Sequence, residues 1–180
     1  LLPVLVVGSL EMSEIVAWQS EHRWFILHSP FTFIAFFIFF ISGLAETNRT
    51  PFDIPEAESE LVAGWMTEYS GFRWAIFFLS EYASMLIICI LSSVLFLGGW
   101  LSPMTIFNIF PDSWLFFDGP IWGIFWLFSK ALFLIFVMMW FRWTFPRLRV
   151  DQLMHLCWKV FIPFALANLF FVAILELIFL

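Results

Sequence analysis

The sequence predicts an all-α polytopic membrane protein with about four transmembrane helices and a partial helix at its N-terminus. Three observations carry that prediction. Hydrophobic residues make up 63% of the chain and charged residues only 12%, with a mean hydropathy of +0.97, far from the balance of a soluble domain. Apolar runs of about 20 residues, the length that crosses a bilayer core, recur along the chain. The polar stretches between them differ in charge, acids gathering in one and cations in another. Phe accounts for 27 of the 180 residues, a bias that fits the codon usage of an AT-rich organelle genome.

Taken in order, residues 1–10 are apolar but too few to cross a membrane. They carry neither a basic n-region nor a cleavage site, so they do not look like a signal peptide. They read as the tail of a helix that begins outside this chain. Residues 11–23 are polar and amphipathic, a connecting or interfacial piece, and Trp18 and Trp24 suit a membrane–water boundary. Residues 24–45 supply the first full span, with Pro30 bending it or opening its regular part. Residues 72–99 give the second span, ended by Gly98 and Gly99. A loop over 100–120 is rich in Pro, Asp and Trp and has no Lys or Arg; residues 121–143 and 160–180 are the third and fourth spans.

The chain thus reads as a single membrane domain over 1–180, with an acidic loop at 46–71 and a basic loop at 142–159. Two spans separate these loops, which places them on one side of the membrane. Arg142, Arg147, Arg149 and Lys159 lie in the basic loop, so the positive-inside rule puts both loops on the matrix or cytoplasmic side.

The rest is organised around residues 46–81. Glu46, Asp53, Glu56, Glu58, Glu60 and Glu68 share this stretch with Arg49, and Glu81 follows inside the second span. Asp53-Ile54-Pro55-Glu56 has the pattern of a helix start: Asp53 can cap, Pro55 fits the first turn and Glu56 stands where a capping box wants an acid. Ala57, Leu61 and Trp65 continue at helical spacing, placing Asp53, Glu56 and Glu60 on one face with Glu58 offset. Capping and dipole effects, about 0.3–1 kcal/mol each, account for Asp53 and Glu56 but not for Glu58, Glu60 and Glu68. Those acids form either a solvated face or a partly buried row able to exchange protons near neutral pH.

Glu81 lies nine residues into its span, about 14 Å along a helix, and has to face protein or water rather than lipid. The plain structural alternative is an ion pair with a cation of another helix, such as Lys130, itself about ten residues into the third span. Arg142, Arg147 and Arg149, with Asp151, have the ordinary reading of cations anchoring a helix end. His22, His28 and His155 lack ligand-like spacing and read as hydrogen-bonded structural residues, and Glu176 as interfacial. Cys89 and Cys157 sit far apart in apolar contexts, and no CxxC, HxxH or HExxH occurs, which argues against zinc or iron–sulfur ligation by this chain. Neither a GxGxxG nor a P-loop is present, so no nucleotide or flavin pocket is expected.

Two long segments carry a family resemblance. Residues 45–60, A-E-T-N-R-T-P-F-D-I-P-E-A-E-S-E, followed by Glu68-Tyr69 and Ser80-Glu81-Tyr82, resemble subunit 1 of the proton-pumping NADH:quinone oxidoreductase, respiratory complex I. Residues 145–159, F-P-R-L-R-V-D-Q-L-M-H-L-C-W-K, resemble a second segment of that family in the same order. The likeness covers the whole chain but only the C-terminal part of the family, and the broken first helix motivates the expectation that a separate polypeptide supplies the N-terminal helices. Trp65-Met66-Thr67, Arg73 and Ser84 depart from the family pattern.

The resemblance implies that Glu46, Asp53, Glu56, Glu58, Glu60, Glu68 and Glu81 belong to an acid chain leading toward the antiporter-like subunits. It implies that Arg49, Phe77, Phe78, Arg142, Arg147, Arg149 and Asp151 line the tunnel by which quinone enters from the bilayer. The chain would act as a subunit of the NADH:ubiquinone reductase and hold no cofactor itself. Ubiquinone is then the substrate, and flavin and iron–sulfur clusters sit on partner subunits. The implied partners are the peripheral-arm quinone-site subunits, which hold the quinone head group, and the antiporter-like subunits. Membrane lipid completes the set, with no nucleic acid, and the implied location is the mitochondrial inner membrane. Two other classes fit the acid loop: the membrane subunit of a related hydrogenase complex, and a stand-alone ion carrier. Against the carrier, no inverted repeat is visible.

Overall fold

The computed structural model describes residues 1–53, 68–103, 120–146 and 148–179, and among them every regular element is helical. Helix α1 spans Leu2–Val7, α2 Met12–Glu21, α3 Phe25–His28, α4 Pro30–Glu46, α5 Phe72–Phe96 and α6 Pro120–Thr144. Beyond α6, α7 (Val150–His155), a π-helical turn (Leu156–Phe161) and α8 (Ile162–Phe179) run on as one rod. Three helical stretches, α5, α6 and the α7–α8 rod, are long and apolar enough to cross a membrane. At 17 residues, α4 is about 26 Å long, a little less than the roughly 30 Å hydrocarbon core.

The first span begins later than its apolar run. A break at Ser29 (φ −148°, ψ 158°) separates α3 from α4. Ser29 Oγ accepts from the Thr32 amide at 3.2 Å, and Thr32 Oγ1 accepts from the Ser29 amide at 3.0 Å. With Pro30 in the first turn, where its missing N–H costs nothing, these bonds start α4 cleanly. Pro30 therefore opens the helix rather than bending it.

The basic loop at 142–159 and the fourth span at 160–180 need correction. The non-helical connection after Thr144 is short, and helical structure resumes at Val150, with Gln152 Oε1 accepting from the Arg149 amide at 3.2 Å. Most of the expected loop is the first part of the final rod. The polar Asp151, Gln152 and His155 hid this in the sequence, and further on Pro163 stands where a proline inside an α-helix leaves a carbonyl unpaired. The wider π turn, in which the Ile162 amide reaches the Cys157 carbonyl, lets the chain pass that point.

The core lies where α4, α5 and α6 meet. Phe36, Phe40, Leu44, Met85, Cys89, Phe96, Leu134 and Met138 are all buried there. Gly43 allows the close approach of α4 and α5, since a Cβ at that position would stand 2.5 Å from Ile88 Cγ2. Small side chains at a contact suit spans in lipid, where association rests on close packing rather than on escape from water. The outward faces stay apolar: Leu132, Phe133 and Phe136 are all more than half exposed.

Helix α5 runs antiparallel to α6, with Cys89 Sγ 3.7 Å from Met138 Sδ, and its C-terminal end is held by two side chains from elsewhere. Gln19, 2% exposed on α2, donates through Nε2 to the Val94 carbonyl at 3.1 Å and accepts at Oε1 from the Gly98 amide at 2.9 Å. Helix α2 is thereby a packed brace as well as a connector. Lys130 Nζ donates to the carbonyls of Leu97, Gly99 and Leu101 at 2.7, 2.9 and 2.6 Å. The same ammonium lies 4.1 Å from the centre of the Trp24 ring.

Gly98 has φ 74°, and a Cβ there would stand 2.5 Å from Trp24 Nε1. Gly8 has φ 76° and nothing within 4 Å. Gly98→Ala is expected to cost about 2 kcal/mol or more, combining left-handed backbone strain of about 1–2 kcal/mol with displacement of Trp24. Gly8→Ala should show the backbone part alone. Unfolding temperatures of the detergent-solubilised protein compare the two.

Candidate functional site

The polar end of the bundle is built from helix ends. Helix α4 stops at Glu46, and Thr47 Oγ1 donates back to the Gly43 and Leu44 carbonyls at 3.2 and 3.1 Å. The chain then turns, the Arg49 amide bonding to the Leu44 carbonyl at 3.4 Å. This turn brings the Arg49 side chain against α5. Its Nε lies 2.9 Å from Glu81 Oε1, with the two side chains only 11% and 14% exposed. The contact is an ion pair, not an aligned hydrogen bond, because Arg49 Nε and Glu81 Oε1 fail the geometry for one. Arg49 Cζ sits 4.6 Å from the centre of the Tyr82 ring, so the guanidinium has a carboxylate on one side and an aromatic face on another. Arg49 Nη2 is also buried without a hydrogen-bond partner among the described residues.

A small cavity of about 10 Å³ beside the pair, room for about one water, is lined by Arg49, Met85, Met138, Met139 and Arg142. Arg142 stands in the last turn of α6, where a cation is favoured by the carbonyl end of the helix. The methionines give the cavity an apolar, deformable wall. Further along α5, aromatic rings continue from Tyr82: Phe78 lies 4.7 Å from it, Trp74 5.2 Å from Phe78, and Tyr69 4.9 Å from Phe77. Pro51 ties the turn to the segment before α7, its carbonyl accepting from the Leu148 amide at 3.0 Å.

These contacts unite Arg49, Glu81 and Arg142 and place Phe77 and Phe78 on the adjoining turns of α5. Asp53 is half-buried; Glu46, Glu68, Arg149 and Asp151 are exposed. Glu56, Glu58, Glu60 and Arg147, and most of the helix expected to start at Asp53, lie outside the described residues. Among the described residues no group of three His, Cys, Asp or Glu side chains is placed to hold a metal ion.

The partner suggested for Glu81 is corrected. Glu81 pairs with Arg49, and Lys130 serves the backbone at the other end of α5. Antiparallel packing sets Lys130 beside Leu97, 16 residues and about 24 Å along the helix from Glu81. Sequence reasoning also missed Gln19 and the three methionines. A lone Gln in a polar stretch carries no signal, whereas Arg49 as the one cation in the acid-rich stretch 45–69 was a usable one. At the opposite end of the bundle, His28, Ser29, Thr32 and Glu176 face a cavity of about 350 Å³.

A family profile described as NADH dehydrogenase matches residues 1–173. A relative from Chlorobaculum tepidum, named as one of the subunits of NADH-quinone oxidoreductase, is 50% identical over 178 residues, covering 97% of this chain and 49% of that protein. Its counterpart of the same name in Granulibacter bethesdensis is 53% identical over 175 residues, 97% of this chain and 47% of that protein. The one in a Geobacillus species is 49% identical over 176 residues, 98% and 48% respectively. The chain spans about half the length of these curated relatives.

Removing one partner of a buried ion pair leaves the other charge uncompensated, a cost of about 3–5 kcal/mol. Arg49→Met is therefore expected to lower stability more than Arg49→Met combined with Glu81→Gln. A thermal double-mutant cycle on the solubilised protein measures the difference.

Proposed function

The chain belongs to the NADH dehydrogenase family, and on that premise we propose that it is a membrane subunit of a proton-pumping NADH:quinone oxidoreductase, complex I. In this reading the chain carries no redox centre. Flavin and iron–sulfur clusters lie on partner subunits, and the chain shapes the path of ubiquinone from the bilayer with Arg49, Phe77, Phe78, Arg142, Arg147, Arg149 and Asp151. Glu46, Asp53, Glu56, Glu58, Glu60, Glu68 and Glu81 make up the acid chain that passes the effect of quinone reduction to antiporter-like subunits.

The observation that carries this reading is the Arg49–Glu81 pair, its side chains 11% and 14% exposed, with the guanidinium over Tyr82 and next to a small methionine-walled cavity that Arg142 also lines. A buried carboxylate on a membrane helix is costly and marks function by default, and here Nη2 of its counter-ion has no hydrogen-bond partner among the described residues. Two electrons from a partner's cluster and two protons convert quinone to quinol. Negative charge building on the quinone in that step competes with Glu81 for Arg49, and Arg142 lines the same small cavity. The altered charge balance at Glu81 then shifts protons or electrostatic bias along the acids. The cations between 142 and 159 favour placing the acidic side toward the matrix or cytoplasm. The Phe-rich composition favours the mitochondrial inner membrane, although the relatives named above are bacterial.

Glu81→Gln keeps the size and hydrogen-bonding capacity of the side chain but removes its charge. In the assembled complex it is expected to lower quinone reduction or proton pumping by about tenfold or more, within the range of site-to-site couplings. Enzyme turnover and proton flux in proteoliposomes measure this, with the amount of assembled complex as control. Wild-type values for both rates at full assembly would reject the coupling role.

A further inference from the structure

Lys130 has no part in the quinone path or the acid chain, yet it is among the most fully engaged cations of the described chain. Its three ammonium protons meet three backbone carbonyls, those of Leu97, Gly99 and Leu101, and the nitrogen lies 4.1 Å from the centre of the Trp24 ring. These carbonyls belong to the turn that ends α5, where Gly98 and Gly99 take left-handed conformations and the Gly99 amide returns to the Ser93 carbonyl at 3.0 Å. Carbonyls beyond a helix end have no intrahelical donor, and in hydrocarbon no water replaces one. The positive ammonium also suits the negative end of the helix dipole. A side chain of α6 thus closes the hydrogen bonding of α5 and ties the two helices at one axial level.

Helix α5 is unbroken from Phe72 to Phe96, so fixing one end fixes the other. A slip of one turn moves every residue by about 5.4 Å, which would separate Glu81 from an Arg49 contact of 2.9 Å. The contacts between the helices follow a single register: Lys130 at Leu97, Met138 at Cys89, and Arg142 lining a small cavity with Met85. Continuing one turn past Met85 reaches Glu81.

We infer that Lys130 is a positioning residue for the Arg49–Glu81 pair, holding the axial register of α5 against α6 through the carbonyls of Leu97, Gly99 and Leu101. The inference rests on the coupling role of Glu81 proposed above. Its test uses the assembled complex with Lys130→Met, Glu81→Gln and the double variant. Lys130→Met is expected to speed amide hydrogen exchange over 97–101 and to lower turnover about fivefold or more, the lower range of site-to-site couplings. Because Lys130 acts through the pair, the double variant should be no slower than the slower single variant. Unchanged exchange over 97–101, wild-type turnover in Lys130→Met, or losses that multiply in the double variant would each overturn it. Wild-type turnover and pumping in Glu81→Gln would instead reject the coupling role itself, and with it the positioning role, so the two failures are told apart. Should Lys130→Met fail to assemble, Gln19→Leu loosens the same turn from α2 and is read by the same exchange and epistasis measurements.

Discussion

Charge placed among apolar helices has to be met by protein atoms, and in this chain that requirement decides where helices stop and how they align. Lys130 is satisfied because α5 ends beside it and turns three carbonyls inward. Glu81 is satisfied because α4 ends early enough for the following turn to deliver Arg49. Neither arrangement survives sliding one helix along another. Packing alone fixes register weakly here, since the outer faces are largely apolar and lipid is as good a neighbour as another helix. The polar contacts fix it.

The site is a product of unequal helix ends. Counted from its own N-terminus, Glu81 lies about 14 Å into α5, a depth that reads as the membrane interior. Its neighbours place it differently. Arg49 follows the end of α4, and Arg142, in the last turn of α6, lines a small cavity with Met85, one turn further along α5 than Glu81. Glu81 is thus level with the ends of two adjoining helices, and the first two turns of α5 extend beyond them. Those turns carry exposed Phe72, Trp74, Ile76 and Leu79, a surface suited to lipid or to neighbouring protein. The carboxylate therefore lies at the boundary between the apolar bundle and its polar end, where exchange with other acids costs less than at mid-membrane.

The spans were legible because each is a long apolar run, and the opening of α4 was legible because Pro30 sits where proline is welcome. The start of the final rod was not, since Asp151, Gln152 and His155 look like loop residues. The acid at position 81 stood out by its cost in an apolar run and Arg49 as the one cation in the acid-rich stretch 45–69, but their pairing did not. Arg49 lies outside any helix, so its reach depends on the path of a turn that no periodicity records. Gln19 left no trace in the pattern, because a glutamine on an amphipathic helix is ordinary until its amide is found between Val94 and Gly98. The chemistry of single residues was readable; the pairing between distant ones required the tertiary register.

The two ends of α5 respond differently to charge. At the Lys130 end an ammonium is held by neutral backbone carbonyls, whose positions are set by two left-handed glycines and by Gln19. Such a contact has no titratable acceptor, so no neighbouring carboxylate competes within it. At the Glu81 end the acceptor is a carboxylate, Nη2 of the cation has no hydrogen-bond partner among the described residues, and the contact is not an aligned hydrogen bond. A guanidinium resting on Tyr82 can turn toward another anion without leaving its aromatic support. One end of the helix is therefore an anchor and the other an exchangeable contact. On the proposed function this division matters, because a charge change at the quinone can alter the Arg49–Glu81 contact only if α5 itself stays fixed. Were both ends free to move, the helix would shift and the energy of the altered pair would be spent on register. With Lys130 holding one end, it is left to act on Glu81 and the acids next to it.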